Sequence, residues 1–235
     1  MDQPTYLIIG DIAGQLDALE RLIAKAPEHD HRIYLGDVID RGEKAIETLL
    51  YVKNDVRSGK ATLVYGNHED LMVETIVKGK DSKRYPWEYN SWMRNGGHST
   101  FEGFKKLTAE EQVDVLKFLT EETELYVQGP GFICSHAPMK AKLQSVDHIR
   151  RYLGVGEEAV FAFLWNREGI APWWPEVQFY GHNGVFTEHV DHGNYDRKFA
   201  YCVDDTFNGN IAAVHWPSRT VVKEAYRNVP EIPNP

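Results

Sequence analysis

Long apolar runs are missing from this chain. No stretch approaches the roughly 18 consecutive apolar residues that a membrane-spanning helix needs. The opening MDQPTYLIIGD has neither a basic start nor an apolar run long enough for a secretory signal. Cysteine is scarce: Cys134 and Cys202 are the only two in 235 residues. That excludes a disulfide framework. Cys134 lies inside the run FICS, so both read as buried small hydrophobes. These absences predict a cytoplasmic protein with no membrane partner. Basic blocks are missing as well. Lys and Arg number 26 against 35 Asp and Glu, for a net charge of −9. Without a positive stripe, a nucleic-acid polymer is not the expected partner. A small phosphorylated ligand held by a few local arginines remains compatible. There is no internal repeat and no low-complexity segment, and an apolar fraction of 42% suffices for a core.

What is present is a set of five short apolar runs, each ending in polar residues. They are YLIIGDIAG (6–14), RIYLGDVIDRG (32–42), TLVYGNHED (62–70), FICSHAP (132–138) and VQFYGHN (177–183). Runs that short, and not alternating, fit strands covered on both faces. Leu16, Leu19, Leu22 and Ile23 share one helical face over 15–25, and Ile46, Leu49, Leu50 and Val52 do so over 43–57. Strand, polar turn, helix, strand is the βαβ order of an α/β fold. Ligands of such sheets gather beyond the carboxyl ends of the strands, where all five motifs place their polar groups. The motifs supply Asp11, Asp37, Asp40, Asn67, His68, His136 and His182, a carboxylate, amide and imidazole set suited to divalent metals. Residues 80–123 read as a helical excursion rich in aromatics (Tyr85, Trp87, Tyr89, Trp92) that walls the cleft, and 147–164 as one helical stretch leading into LWNR. Strand-like runs close the chain at 200–203, 211–215 and 220–225, so a second sheet packed on the first is expected. Residues 229–235, with three prolines, read as a surface tail. The motifs spread over the whole length, which predicts a single domain over 1–235.

In order, GDIAG, GDVIDRG, GNHE, CSHAP and YGHN resemble the metallophosphoesterase superfamily, and within it the phosphoprotein phosphatase family. The pairing of GDVIDRG with GNHE is the specific part. The resemblance spans about residues 5–215 and is closest to the compact bacterial and phage serine/threonine phosphatases. Symmetrical dinucleoside tetraphosphatases share the motifs. It implies a calcineurin-like α/β fold, a two-sheet β-sandwich flanked by helices. It also implies two divalent metal ions, Mn2+ first, with Fe, Zn, Ni or Mg as alternatives. The implied metal ligands are Asp11, Asp37 as the bridge, Asn67, His136 and His182. His68 would protonate the leaving alkoxide with Asp40 orienting it, while Arg41 and Arg167 would clamp the phosphate. Arg94 in RNGG is an outside candidate for a clamp. Asp204 and Asp205 match a turn that supports the sheet. His189 and His192 could line the cleft.

Each assignment has a plainer rival. Asp11 and Asp37 could cap the helices that follow them, Asp40 could pair with Arg41, and a lone His after a strand is more often structural. One position departs from the pattern. GDIAGQ stands where the family has GDIHGQ, so Ala13 sits at the place of a missing His ligand. An imposed substitution and a natural variant with a weaker first site both explain it. The intact remaining motifs favour the former. The implied activity is hydrolysis of phosphoserine or phosphothreonine by a metal-activated water, impaired by Ala13, with no phosphoenzyme. A dinucleoside polyphosphate or other nucleotide hydrolase is the alternative, with Trp87, Trp92, Trp173 or Trp174 stacking a base. A non-catalytic phosphate-binding module is the third reading. The partner is a phosphorylated protein or a nucleotide.

Overall fold

The computed structural model describes residues 3–78, 88–140, 142–170, 172, 174–191 and 194–226. Tyr85, Trp87, Trp173, His192 and the stretch 229–235, to which the sequence reading gave roles, lie outside them. Two five-stranded mixed sheets are flanked by helices. The first contains β1 (Tyr6–Ile9), β2 (His31–Tyr34), β3 (Ala61–Leu63), β9 (Asn210–Trp216) and β10 (Thr220–Ala225) in the order β10-β9-β1-β2-β3. β1, β2 and β3 run parallel through the crossovers α1 (Leu16–Lys25) and α2 (Ala45–Arg57). The second sheet has the order β4-β5-β6-β8-β7, from β4 (Tyr126–Gly129), β5 (Phe132–Ser135), β6 (Val177–Tyr180), β7 (Thr187–Asp191) and β8 (Asn194–Cys202).

The unalternating strands are explained by two apolar layers. Leu7 and Ile9 pack under the helices with Leu19, Leu22 and Leu49. Ile8, between them, faces the other sheet, where it joins Ile33, Val64, Phe132, Cys134, Phe179 and Tyr201. Successive side chains of a strand point to opposite faces, and here both faces are covered. Fully burying one such side chain contributes about 1.5–3 kcal/mol. The outer face of the second sheet is covered by Ile149 of α7 (Val146–Leu153) and Phe163 of α8 (Glu157–Leu164). The stretch 147–164 is therefore two helices rather than one. Gly154 and Gly156 separate them, Gly156 at φ 135°, which a side chain rarely adopts. The excursion also divides, into α4 (Glu88–Arg94), α5 (His98–Phe104) and α6 (Ala109–Glu121). Thr108 caps α6 by accepting from Glu111 N. Among the described residues no helix is long and apolar enough to cross a membrane.

Candidate metal centre and the groups around it

The turns after β1, β2 and β6 and the start of α3 (Asn67–Val73) converge on one cleft of about 60 Å³, and His136 after β5 backs it through Asn67. Asp11, Asp37, Arg41, Asn67, His68, Arg167 and His182 all line it. The capping alternatives are excluded by position. The residue capping α1 is Gln15, not Asp11, and α2 starts well beyond Asp37, after Lys44. Asp11 instead accepts from the His182 backbone N–H at 3.0 Å, tying the two sheets together. The glycine of YGHN follows from that contact: a Cβ on Gly181 would lie 2.2 Å from Asp11 Oδ1.

Backbone strain concentrates here. Among the described residues the non-glycine positions with positive φ are Ala13, Asp37, Asp40, Arg41, His182 and Arg219, and the first five belong to the motifs. Such conformations cost on the order of 1–3 kcal/mol each and persist where surrounding contacts over-determine them. Ala13, at φ 50°, is held by donating to Asp37 O at 2.9 Å and accepting from Gly42 N at 2.9 Å. Asn, Asp and His visit that region more readily than Ala.

The chemistry of the donors fits a cation. His136 Nδ1 donates to Leu35 O at 2.7 Å, which leaves Nε2 as the ring atom for a ligand. Nε2 lies 2.8 Å from Asn67 Oδ1, and His182 Nδ1 meets the same oxygen at 2.8 Å. Asp37 Oδ1 is 3.4 Å from His136 Nε2, and Asp37, His136 and His182 place ligand atoms within 4.8 Å of one another. His182 Nε2 is buried without a hydrogen-bond partner among the described residues. Burial, and then His136, push the His182 imidazole down to about 2, so its ring is neutral and open to a metal. Burial, and then the Asp204 and Asp37 charges, push the Asp11 carboxyl well above its usual range. Carboxylate, amide and imidazole groups gathered this closely suit a divalent cation.

Beside this cluster, His68 Nδ1 donates to Asp40 Oδ2 at 2.6 Å, and Arg41 Nη2 donates to His68 Nε2 at 2.9 Å. Asp40 is buried and does not pair with Arg41. Trp92 Nε1 donates to its Oδ2 at 2.9 Å and the Thr100 hydroxyl donates to its Oδ1, so the helical excursion orients the carboxylate. Although burial opposes it, the Asp37 charge and the Asp40 bond hold the His68 imidazole above its ordinary value. Arg41 N donates to Gly96 O at 2.9 Å, which explains RNGG as a support for Arg41. Arg94 is exposed and does not line the cleft, so it is no clamp. Arg167 Nη1 donates to His182 O at 2.9 Å, and Asn166 of LWNR ties this segment to Pro138 O at 2.6 Å.

Several placements correct the sequence reading. Trp92 and Trp174 are buried in the core and cannot stack a ligand. His189 stands behind the sheet on Tyr180, whose hydroxyl is 2.7 Å from its Nε2, and it does not line the cleft. Asp204 and Asp205 hold the 206–208 turn. Asp204 accepts from Thr206 N at 2.9 Å, and Asp205 accepts from Asn208 at 2.7 Å and Asn210 at 2.8 Å. Asn95, Trp165, Thr206 and Phe207 also line the cleft and had no role in the sequence reading.

Glu69 was unassigned too. It is buried and accepts from Asp37 N at 2.8 Å, Gly66 N at 3.0 Å and Val38 N at 2.9 Å, fixing the turn that carries Asp37. Burial, and then the Asp37 charge, push its carboxyl up to about 8, against the pull of those N–H groups. Glu69→Gln replaces an acceptor oxygen with a donor facing backbone N–H. A loss of about 1–3 kcal/mol in denaturant unfolding is expected. A loss below about 0.5 kcal/mol would mean that the three backbone contacts of Glu69 do not hold the turn.

The profile of the calcineurin-like phosphoesterases matches residues 4–208. The symmetrical bis(5'-nucleosyl)-tetraphosphatase of Glaesserella parasuis serovar 5 (strain SH0165) is 23% identical over 272 residues, covering 96% of this chain and 99% of that protein. Among solved structures, a provisionally assigned diadenosine tetraphosphatase superposes with a TM-score of 0.63 at 18% identity, over 96% of this chain and 95% of that one. A protein serine/threonine phosphatase from Saccharomyces cerevisiae, with similarity to human phosphatase PP5, gives a TM-score of 0.59 at 14% identity, over 98% and 82%. At those identities the two structures bear on the fold alone.

Proposed function

We propose that this chain, which belongs to the calcineurin-like phosphoesterase family, uses two divalent metals to hydrolyse dinucleoside polyphosphates. The family is one of metal-dependent phosphoric-ester hydrolases. The observation that carries the metal reading is the meeting of His136 Nε2 and His182 Nδ1 at Asn67 Oδ1, 2.8 Å from each and beside Asp37. Asp11 with Asp37 would hold the first cation, and Asp37, Asn67, His136 and His182 the second. When bound, such ions lower the pKa of water and offset charge on phosphoryl oxygens. The oxygen-rich character of the first site favours Mn2+ or Mg2+ over softer metals.

The other roles belong to the chain's own residues. Arg41 and Arg167, which both line the cleft, present planar forks for the nonbridging oxygens. When Arg41 turns to the phosphate it frees His68 Nε2, which can then carry a proton to the departing oxygen. Asp40 fixes the ring through Nδ1. The likeness along the whole length of the Glaesserella parasuis protein supports a nucleotide substrate.

A phosphoserine or phosphothreonine substrate is the second reading, and the His68–Asp40 pair favours it. A proton donor matters most where the leaving group is a poor one such as an alkoxide. A panel of diadenosine tetraphosphate, a phosphoserine peptide and an aryl phosphate, assayed with Mn2+, separates the two. Turnover of the peptide without turnover of the dinucleotide would overturn the nucleotide reading. Within that panel, His68→Asn should slow alkyl phosphates about 10²–10⁴-fold and an activated aryl phosphate far less, with metal content unchanged. Equal losses on both substrates would remove His68 as the proton donor.

A further inference from the structure

The metal cleft, at about 60 Å³, has room for a phosphoryl group, so the rest of a nucleotide must extend past its rim. One rim residue is out of character with this polar site. Phe207 lines the cleft and yet is 72% exposed. Among the exposed large hydrophobic side chains of the described residues it is the one aromatic; the others are valines. Its exposure is not looseness. Phe207 N donates to Gly184 O at 2.9 Å, and the ring lies so close to Gly184 that a Cβ there would come within 2.6 Å of it. Gly184 has φ +81° and so needs glycine on both counts. The turn beneath is cross-linked. Thr206 Oγ1 donates to Asp204 at 2.7 Å, Asn208 Nδ2 to Asp205 at 2.7 Å, and the Tyr226 hydroxyl to Thr206 O at 3.0 Å.

The result is a planar ring on a rigid support, open to solvent on the edge of a phosphate site flanked by Arg41 and Arg167. We infer that Phe207 is the stacking platform for one nucleobase of the substrate. This rests on the nucleotide reading of the site. Stacking recognises the π-face that every base has and tolerates any base identity. Phe207 offers no hydrogen-bonding group with which to tell adenine from guanine. The buried Trp92 and Trp174 are not available for this contact.

The test is a calorimetric titration of the full chain with Mn2+, using AMP and inorganic phosphate as probes, on wild type, Phe207→Ala, Phe207→Leu and Phe207→Trp. The side chain is mostly solvent-exposed, so all four proteins should fold alike, and circular dichroism checks that. Phe207→Ala is expected to weaken AMP roughly 5- to 150-fold while the preference for AMP over phosphate collapses. Leu should behave like Ala, and Trp should retain the affinity. AMP affinity within about twofold of wild type in Phe207→Ala would overturn the inference alone, as would equal weakening of AMP and phosphate or full rescue by Leu. A wild-type chain that binds a phosphoserine peptide but no AMP would overturn the nucleotide reading and this inference with it.

Discussion

Ala13→His is expected to raise phosphohydrolase turnover by orders of magnitude. It should also add a second tightly held metal ion. As the chain stands, the proposed first site offers Asp11 and Asp37 and no imidazole, because alanine has no lone pair to give. The backbone at Ala13 is already arranged for a polar residue. Its φ of 50° suits His better than Ala, and its N–H and carbonyl are bonded to Asp37 O and Gly42 N. The substitution would therefore start from a turn tied directly to the proposed bridging ligand. Metal-assisted hydrolysis needs charge on the attacking and leaving oxygens offset together, and a half-formed site offsets one of them poorly. Steady-state assays with Mn2+ on both proteins check this. Equal rates and equal metal content would mean that position 13 is not a damaged ligand and that the first motif is misread.

In the Ala13→His background, Asp37→Asn should abolish activity, with a fall of at least about 10³-fold. Asp37 lies between the His136 imidazole and the His68–Asp40 pair. Its Oδ1 lies 3.4 Å from His136 Nε2 and its Oδ2 lies 3.7 Å from His68 Nε2. Burial opposes its charge, but the facing imidazoles of His136, His68 and His182 and the His68 backbone N–H hold the carboxyl below its ordinary value, so it is anionic. A neutral amide cannot screen two cations held a few ångströms apart. Elemental analysis should show less than two metals per chain. Undiminished turnover with two metals bound would remove Asp37 as the bridge.

The metal cluster was legible in the sequence because its residues sit at strand ends, where an apolar run followed by Gly and a polar residue marks the place. Asp37, Asn67, His136 and His182 come together from four separate motifs. The two-sheet sandwich was legible for the same reason: strands covered on both faces, such as β1 with Ile8 inward and Leu7 and Ile9 outward, read as unbroken apolar runs. Strands β4 and β7 were not seen. Tyr126–Gly129 and Thr187–Asp191 are edge strands with partly exposed, polar residues and no apolar run. The supports of the site were also hidden. Glu69 reads as part of a ligand motif, yet two of its three backbone N–H contacts, Asp37 and Val38, belong to a different motif. Trp92 reads as a ligand-facing aromatic, and its indole N–H is spent on Asp40. Phe207 carries no signal in the sequence, and only the turn that bears it places it at the cleft.

The central claim is a two-metal site with one half weakened by Ala13, and Mn2+ titration of the present chain and of Ala13→His tests it most directly. One tight and one weak equivalent are expected for the present chain. Two tight equivalents are expected for Ala13→His, and loss of the tight one when Asn67 or His182 is replaced by Ala. Superimposable isotherms for the two proteins, or tight binding that survives Asn67→Ala and His182→Ala, would contradict the account.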